Sequence, residues 1–242
     1  MRTRNDTRPG THEAIQSLTG PAHYDSVRDL TYSLIISHTH RFIFFAVPKT
    51  ATHAVRGALR EHLGPDDWEQ QFLLGEQSLP IPELAKLGHG HISARQIRPH
   101  LSDEDWDSYF KFGFVRNPFD RFVSTCFFLN RDDPNFAARA MGFMKSALTV
   151  PRFRQRILVT PQNLQLSDSS GCIALDYVGR YENLQSSYDE VCSRVGIPSE
   201  KLPVKNTSKH AAFTDYYDEE LHAIVANFYA DDLRAFDYDL PK

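Results

Sequence analysis

The sequence predicts an α/β domain with a central, mostly parallel sheet flanked by helices. Short apolar runs, "RFIFFAV" at 41–47, "YFKFGFVRN" at 109–117 and "ALDYVGRYENL" at 174–184, each read as a buried strand. Each run is followed by apolar residues at helical spacing, and strands alternating with helices pack as a parallel sheet covered on both faces. At 242 residues and 41% hydrophobic content the chain is long enough to bury a sizeable core. Residues 31–242 are expected to form a single domain. Residues 1–30 are polar, broken by Pro9-Gly10 and Gly20-Pro21, and read as a loosely attached arm.

The elements follow in order. "YSLIISH" is an apolar strand or the lead-in to the next one, "RFIFFAV". After Thr50, Val55, Leu59 and Leu63 recur every fourth residue with Ala54 and Ala58 beside them, which makes a helix stopped by Gly64-Pro65. Residues 65–79 read as a surface segment. "IPELAKLGHGHISARQIRPHLS" holds two short helices around a glycine-punctuated turn. Past the strand "YFKFGFVRN", Pro118 suits the first turn of a helix. Phe119, Phe122, Val123, Cys126 and Phe127 give that helix one apolar face. The stretch 131–170 reads as less regular. The third strand feeds a helix through Val195, ended by Gly196-Ile197-Pro198; "LPVKNTSKH" is a loop, and "DEELHAIVANFYADDLRAF" gives one or two closing helices.

Composition narrows the function. A net charge of −4 disfavours general nucleic-acid or membrane-surface binding, so cations that meet an anionic ligand must be concentrated locally. Cys126, Cys172 and Cys192 are widely spaced without a CxxC motif, which implies buried thiols and a reducing compartment. No apolar run approaches a membrane span, and no apolar stretch follows "MRTRNDTRPG" as a secretory signal requires. The expected location is cytoplasmic.

Two stretches carry local chemistry. In "VPKTATH" a buried strand runs into Pro48, Lys49, Thr50, Ala51, Thr52 and His53 as a helix begins. Unpaired N–H groups and the positive end of the helix dipole make such a loop receptive to an anion, and Lys49 adds charge. No glycine lies between Arg41 and Arg56, so the Walker pattern of ATP P-loops is absent. The competing reading is a solvated lysine beside a capped helix. In "FGFVRNPFDRFVSTCFF", Arg116 closes a strand and Ser124 follows eight residues later, on a polar flank of the helix with Asp120 and Arg121. A guanidinium and a hydroxyl so placed can clamp one phosphate. The competing reading is a structural ion pair.

Together, "PKTATH" and "RNPFDRFVS" resemble the two cofactor loops of the PAPS-dependent sulfotransferases, in particular the carbohydrate sulfotransferase (family 2) type. "GHISARQI", "TPQNLQLSD", "DYVGRYENL" and the "NTSKH…YYDEE" tail extend the resemblance from about Arg41 to Tyr238. It implies a P-loop-like three-layer fold. It also implies 3′-phosphoadenosine 5′-phosphosulfate (PAPS) as donor, adenosine 3′,5′-bisphosphate (PAP) as product, and no metal. The first loop, Pro48 to His53, would bind the 5′-phosphosulfate, and Arg116 and Ser124 the 3′-phosphate. Ser208 and Lys209 resemble a late loop that closes over the nucleotide. Many relatives carry Gly-Gly where this chain has Ala51-Thr52, and a serine or threonine in place of His53.

Sulfuryl transfer to an alcohol needs a base, and histidine suits neutral pH. Of eleven histidines, His89 and His91 in "GHGHIS" resemble the His-x-His-x-Ser stretch of uronyl 2-O-sulfotransferases. That likeness implies His91 as base, with His89 contacting substrate, and leaves His89 as the alternative base. Lys49 would stabilise the leaving group. The acceptor implied is a hydroxyl, on a carbohydrate or glycoconjugate by family precedent, reached through 65–90 and 131–170. Arg152 and Arg154 in "PRFRQR" are candidates to meet an anionic acceptor. The rival readings are a kinase-like binder of ATP and Mg²⁺ and a non-catalytic anion-binding relative.

Overall fold

A computed structural model describes residues 32–71, 80–87, 89–203 and 211–241. Its sheet has five strands in the order β3-β1-β2-β4-β5: β1 (Tyr32–Ser37), β2 (Phe42–Phe45), β3 (Trp68–Gln71), β4 (Phe110–Val115) and β5 (Tyr177–Arg180). The site is built on the parallel part, where β4 pairs with β2 on one side and β5 on the other. The remaining pairings, β1 with β2 and β1 with β3, are antiparallel. The short link from Ser37 to Phe42 dictates the first of these, because a parallel crossover needs a dozen or more residues.

Alternation along β2 and β4 fills two cores. Phe42, Phe44, Phe112 and Phe114 face α1 (Thr52–Arg60) and α9 (Leu184–Val195), meeting Val55, Leu59, Tyr188 and Val191. Ile43, Phe45, Val47 and Val115 face the other way. They meet Ile81 and Leu84 at α2 (Pro82–Ala85), Ala94 and Ile97 of α3 (Ala94–Ile97), and Leu166 of α8 (Gln162–Leu166). The α/β class with helices on both sheet faces is therefore as expected, and it is why β2 reads as an unbroken apolar run and β4 as one broken only by Lys111. A third core joins α5 (Pro118–Leu129), α6 (Phe136–Ala147) and α10 (Glu219–Phe228) through Phe119, Phe122, Phe136, Met144, Leu221 and Val225.

Between β2 and β4 the backbones approach closely. A Cβ on Gly113 would lie 2.8 Å from the Phe45 carbonyl oxygen and 3.2 Å from Leu175. Gly113→Ala is expected to destabilise the fold by about 1–3 kcal/mol through overpacking, read from the urea midpoint; an unchanged midpoint would show that the strands part without cost.

Two expectations are corrected. Within 65–79, Trp68–Gln71 is an edge strand, not a surface loop. Its polar sequence hides it: Glu69 is buried and neutralised by Arg56 at 3.1 Å and Arg60 at 2.8 Å. Within 131–170, α6 is a regular helix of 12 residues burying Phe136, Ala140, Phe143, Met144 and Ala147. Two shorter helices follow it, α7 (Pro151–Arg154) and α8. The chain also closes with two helices, α10 and α11 (Ala230–Ala235). The N-terminal arm and most of "LPVKNTSKH", with Ser208 and Lys209, lie outside the described residues.

Candidate active site

Beyond β2 the chain turns through Pro48 to Thr52. Lys49 and Ala51 both take left-handed backbone angles, φ 69° and 61°, each costing a non-glycine residue roughly 1–2 kcal/mol. Such strain is characteristic of ligand sites. The hydroxyls of Thr50 and Thr52 both donate to the Val47 carbonyl, at 2.9 and 2.7 Å. They fold the loop and do not cap the helix. Ala51 is the N-cap of α1, without a side-chain bond. Among the described residues, the N–H groups of Ala51 and Thr52 make no backbone hydrogen bond, while that of Thr50 closes the turn at Pro48-Lys49. Main-chain donors, more than threonine hydroxyl hydrogens, are thus what this loop offers an anion.

The second loop is fixed from several sides. The Asn117 side chain accepts from Phe119 N at 3.0 Å and caps α5, with Pro118 in its first turn. Asn117 N donates to Glu182 at 2.6 Å, and Tyr238 OH donates to the other Glu182 oxygen at 2.9 Å. Glu182 therefore braces this loop. Arg116 is buried. Its Nε and Nη2 grip both oxygens of Asp120 at 2.8 and 2.7 Å, and Nη1 donates to the Lys49 carbonyl at 3.2 Å. The guanidinium lies 4.1 Å from the Tyr181 ring centroid. Three of its five N–H bonds are thus occupied among the described residues, which leaves one on each terminal nitrogen.

On α5, Asp120, Ser124 and Phe128 fall at i, i+4 and i+8, one stripe of the helix. Asp120 holds Arg116 at one end, and the Lys49 ammonium sits 4.2 Å from the Phe128 ring centroid at the other. The buried Ser124 lies on the stripe between them. Arg121 leaves the expected polar flank and turns inward, fully buried, donating to Thr160 O at 2.5 Å.

His91 hydrogen-bonds through Nδ1 to the Ala46 carbonyl at 2.8 Å. A carbonyl only accepts, so Nδ1 carries the proton and Nε2 holds the lone pair. Burial lowers the His91 pKa to about 4, aided by His89, His53 and Arg121 against the raising effect of the Ala46 bond. The ring is therefore neutral near pH 7. His89 stands 6.4 Å from it between centroids, and its pKa is also lowered by burial. Its Nδ1 is buried without a partner among the described residues.

Carbonyls of one strand exit thus gather the site. Ala46 holds His91, Val47 holds Thr50 and Thr52, and Lys49 holds Arg116. Pro48 is buried in this segment, and His53 is exposed on the first turn of α1. Arg152 and Arg154 are exposed on α7, with Arg154 over the Phe228 ring at 5.8 Å. Sequence reasoning missed Gln162, whose buried carboxamide pairs with the Arg116 backbone. Its one signal was a polar residue opening "QNLQL" just after Pro161.

Two loops thus lie at the carboxyl ends of adjacent parallel strands, joined through the Lys49 carbonyl, with a neutral buried histidine tied to one of them. The chain belongs to the sulfotransferase family, whose model matches residues 32–239, and it is a sulfotransferase enzyme. It is similar to an uncharacterized protein of Archaeoglobus fulgidus, 30% identical over 94 residues that span 37% of this chain and 69% of that protein. Among solved structures it is similar to a sulfotransferase from Alicyclobacillus acidocaldarius, at 17% identity and a TM-score of 0.41, covering 80% of this chain and 93% of that one. No helix among the described residues is long and apolar enough to cross a membrane.

Proposed function

We propose that this sulfotransferase moves the sulfuryl group of PAPS to a hydroxyl of a carbohydrate or glycoconjugate, with His91 as general base and PAP as product. The observation that carries the reading is the Ala46 carbonyl, which fixes the His91 tautomer and leads directly into the first anion loop. The residues present fit a donor with two anionic ends. The N–H groups of Ala51 and Thr52, with Pro48 and Thr50 shaping the turn and His53 beside it, suit the 5′ end. The two remaining N–H bonds of Arg116, with Ser124, suit a 3′-phosphate. Ser208 and Lys209 are proposed to close over the nucleotide. His89, Arg152 and Arg154 are proposed on the acceptor side. The free thiols support a reducing, cytoplasmic setting, with Cys126 and Cys192 buried as expected and Cys172, against expectation, exposed.

Bound donor supplies an activated sulfuryl group. His91 Nε2 takes the proton from the acceptor hydroxyl as that oxygen bonds to sulfur in line, while the bond from sulfur to the phosphate oxygen breaks. Lys49 faces the charge that grows on the departing oxygen. Positioning and electrostatics carry most of the rate in phosphoryl transfer, and the same holds here by analogy. Lys49→Ala is expected to cut turnover by about 10²–10³-fold, because its charge is needed most in the transition state. PAP affinity is expected to change by less than about tenfold; turnover spared while PAP binding vanishes would reverse the assignment.

The overall reading is tested by calorimetric titration with PAP, adenosine 5′-monophosphate, and ATP with Mg²⁺, followed by sulfation of a panel of sugar acceptors. Tight binding that needs the 3′-phosphate, with sulfate appearing on a sugar, is the expected result. Preference for ATP with Mg²⁺ would overturn it.

A further inference from the structure

We infer that Gln162 is a positioning residue for the grip of Arg116 on a 3′-phosphate, and so sets selectivity between 3′-phosphorylated and unphosphorylated nucleotides. The inference rests on the Arg116 role proposed above. Sheet pairing of β4 stops short of Arg116: the last partners are Phe45↔Gly113 on one side and Val115↔Arg180 on the other. The arginine therefore stands one residue past the ladder, where backbone is ordinarily free to drift.

Gln162 takes over as its neighbour. Arg116 N donates to Gln162 Oε1 at 2.9 Å, and Gln162 Nε2 donates to Arg116 O at 2.9 Å. Backbone N–H only donates and C=O only accepts, so the carboxamide can satisfy both in one orientation alone. Gln162 is itself anchored. Its N–H donates to Asp232 Oδ2 at 2.9 Å, with Nε2 at 3.4 Å from the same oxygen, while Asn163 N donates to Oδ1 at 2.8 Å. Gln162 and Asp232 are both fully buried. The chain of support runs from α11 through Asp232 and Gln162 to the backbone that aims the guanidinium. Asp120 fixes the side chain but does not touch that backbone.

The test compares PAP with adenosine 5′-monophosphate, which lacks the phosphate Arg116 would meet. Affinities for both are measured by calorimetry in wild type, Gln162→Leu and Asp232→Asn, below each melting transition. Wild type should prefer PAP. In Gln162→Leu the preference should fall at least tenfold, with monophosphate affinity within threefold of wild type; Asp232→Asn should fall partway. A purely structural role lowers the melting temperature, or weakens both ligands alike, and leaves their ratio fixed. A fixed ratio in both variants, with a discriminating wild type, overturns this inference and spares the Arg116 reading. A wild type that does not discriminate overturns both. If Gln162→Leu does not fold, the Asp232→Asn ratio decides: a drop supports the inference and no change overturns it.

Discussion

His91→Asn is expected to lower turnover by about 10²–10⁴-fold, the usual contribution of a general base, while PAP affinity stays within a factor of about three. Asparagine is the sharper replacement because its carboxamide N–H can keep the bond to the Ala46 carbonyl that His91 Nδ1 makes at 2.8 Å. What disappears is the lone pair on Nε2. Normal turnover in this variant would move the base to His89 or elsewhere. The wild-type pH profile supplies a second check. Burial holds the His91 pKa down to about 4, so the ring stays neutral and competent well below the ordinary histidine range. The acid limb of kcat/KM should therefore fall below about pH 5 and not near 6.5. A midpoint near 6.5 would take the base role away from His91. The same shift affects stability. Above about pH 6.5 the imidazole is neutral in folded and unfolded chains alike and contributes no pH dependence. As pH falls from about 6.5 towards 4 the unfolded chain takes up a proton that the folded chain refuses. Stability then drops, by a term on the order of 3 kcal/mol at its limit. His91→Asn removes that term, so its melting temperature should fall less steeply between pH 6.5 and 4 than that of wild type.

Much of the fold was legible because two physical patterns dominate the sequence. Phe42–Val47 and Phe112–Val115 carry no polar side chain, as strands buried on both faces require. Residues 118–129 and 184–195 carry apolar residues at helical spacing, the latter ended by Gly196 in a left-handed cap. The edge strand Trp68–Gln71 was illegible because it is nearly all polar, and the buried Glu69 is neutralised only through tertiary contact with Arg56 and Arg60 of α1. Helix Phe136–Ala147 was missed although its buried residues repeat at helical spacing. In the candidate site, Lys49, His91 and Arg116 stood out as candidates because each sits beside a strand end or a tight turn, where chain geometry already favours a ligand. The partners that aim them were not. Asp232 is 70 residues from Gln162, and no local pattern marks a contact made only by tertiary packing. Threonine hydroxyls that fold inward onto a carbonyl are equally invisible in "PKTATH".

Arg116→Ala is expected to weaken PAP binding by roughly 2–5 kcal/mol, the cost of removing one partner of a buried charge pair, which corresponds to a roughly 30- to 5,000-fold rise in Kd. Adenosine 5′-monophosphate should lose far less. The structure gives this experiment a complication that also makes it decisive. Arg116 already pairs with Asp120, whose side chain is only 17% exposed. Removing the guanidinium leaves a carboxylate on the stripe where a 3′-phosphate would lie beside Ser124, so part of the loss will be repulsion. Arg116→Ala with Asp120→Ala separates the two contributions: the double variant should bind PAP more tightly than the single one, yet still more weakly than wild type. The part recovered measures the unpaired carboxylate, and the part not recovered measures what the two remaining N–H bonds of Arg116 give the phosphate. If Arg116 serves only to join the two loops through Asp120 and the Lys49 carbonyl, both variants will melt at lower temperature and weaken PAP and the monophosphate by the same factor. That equality would remove Arg116 from the donor site and leave it as the bolt between the two loops.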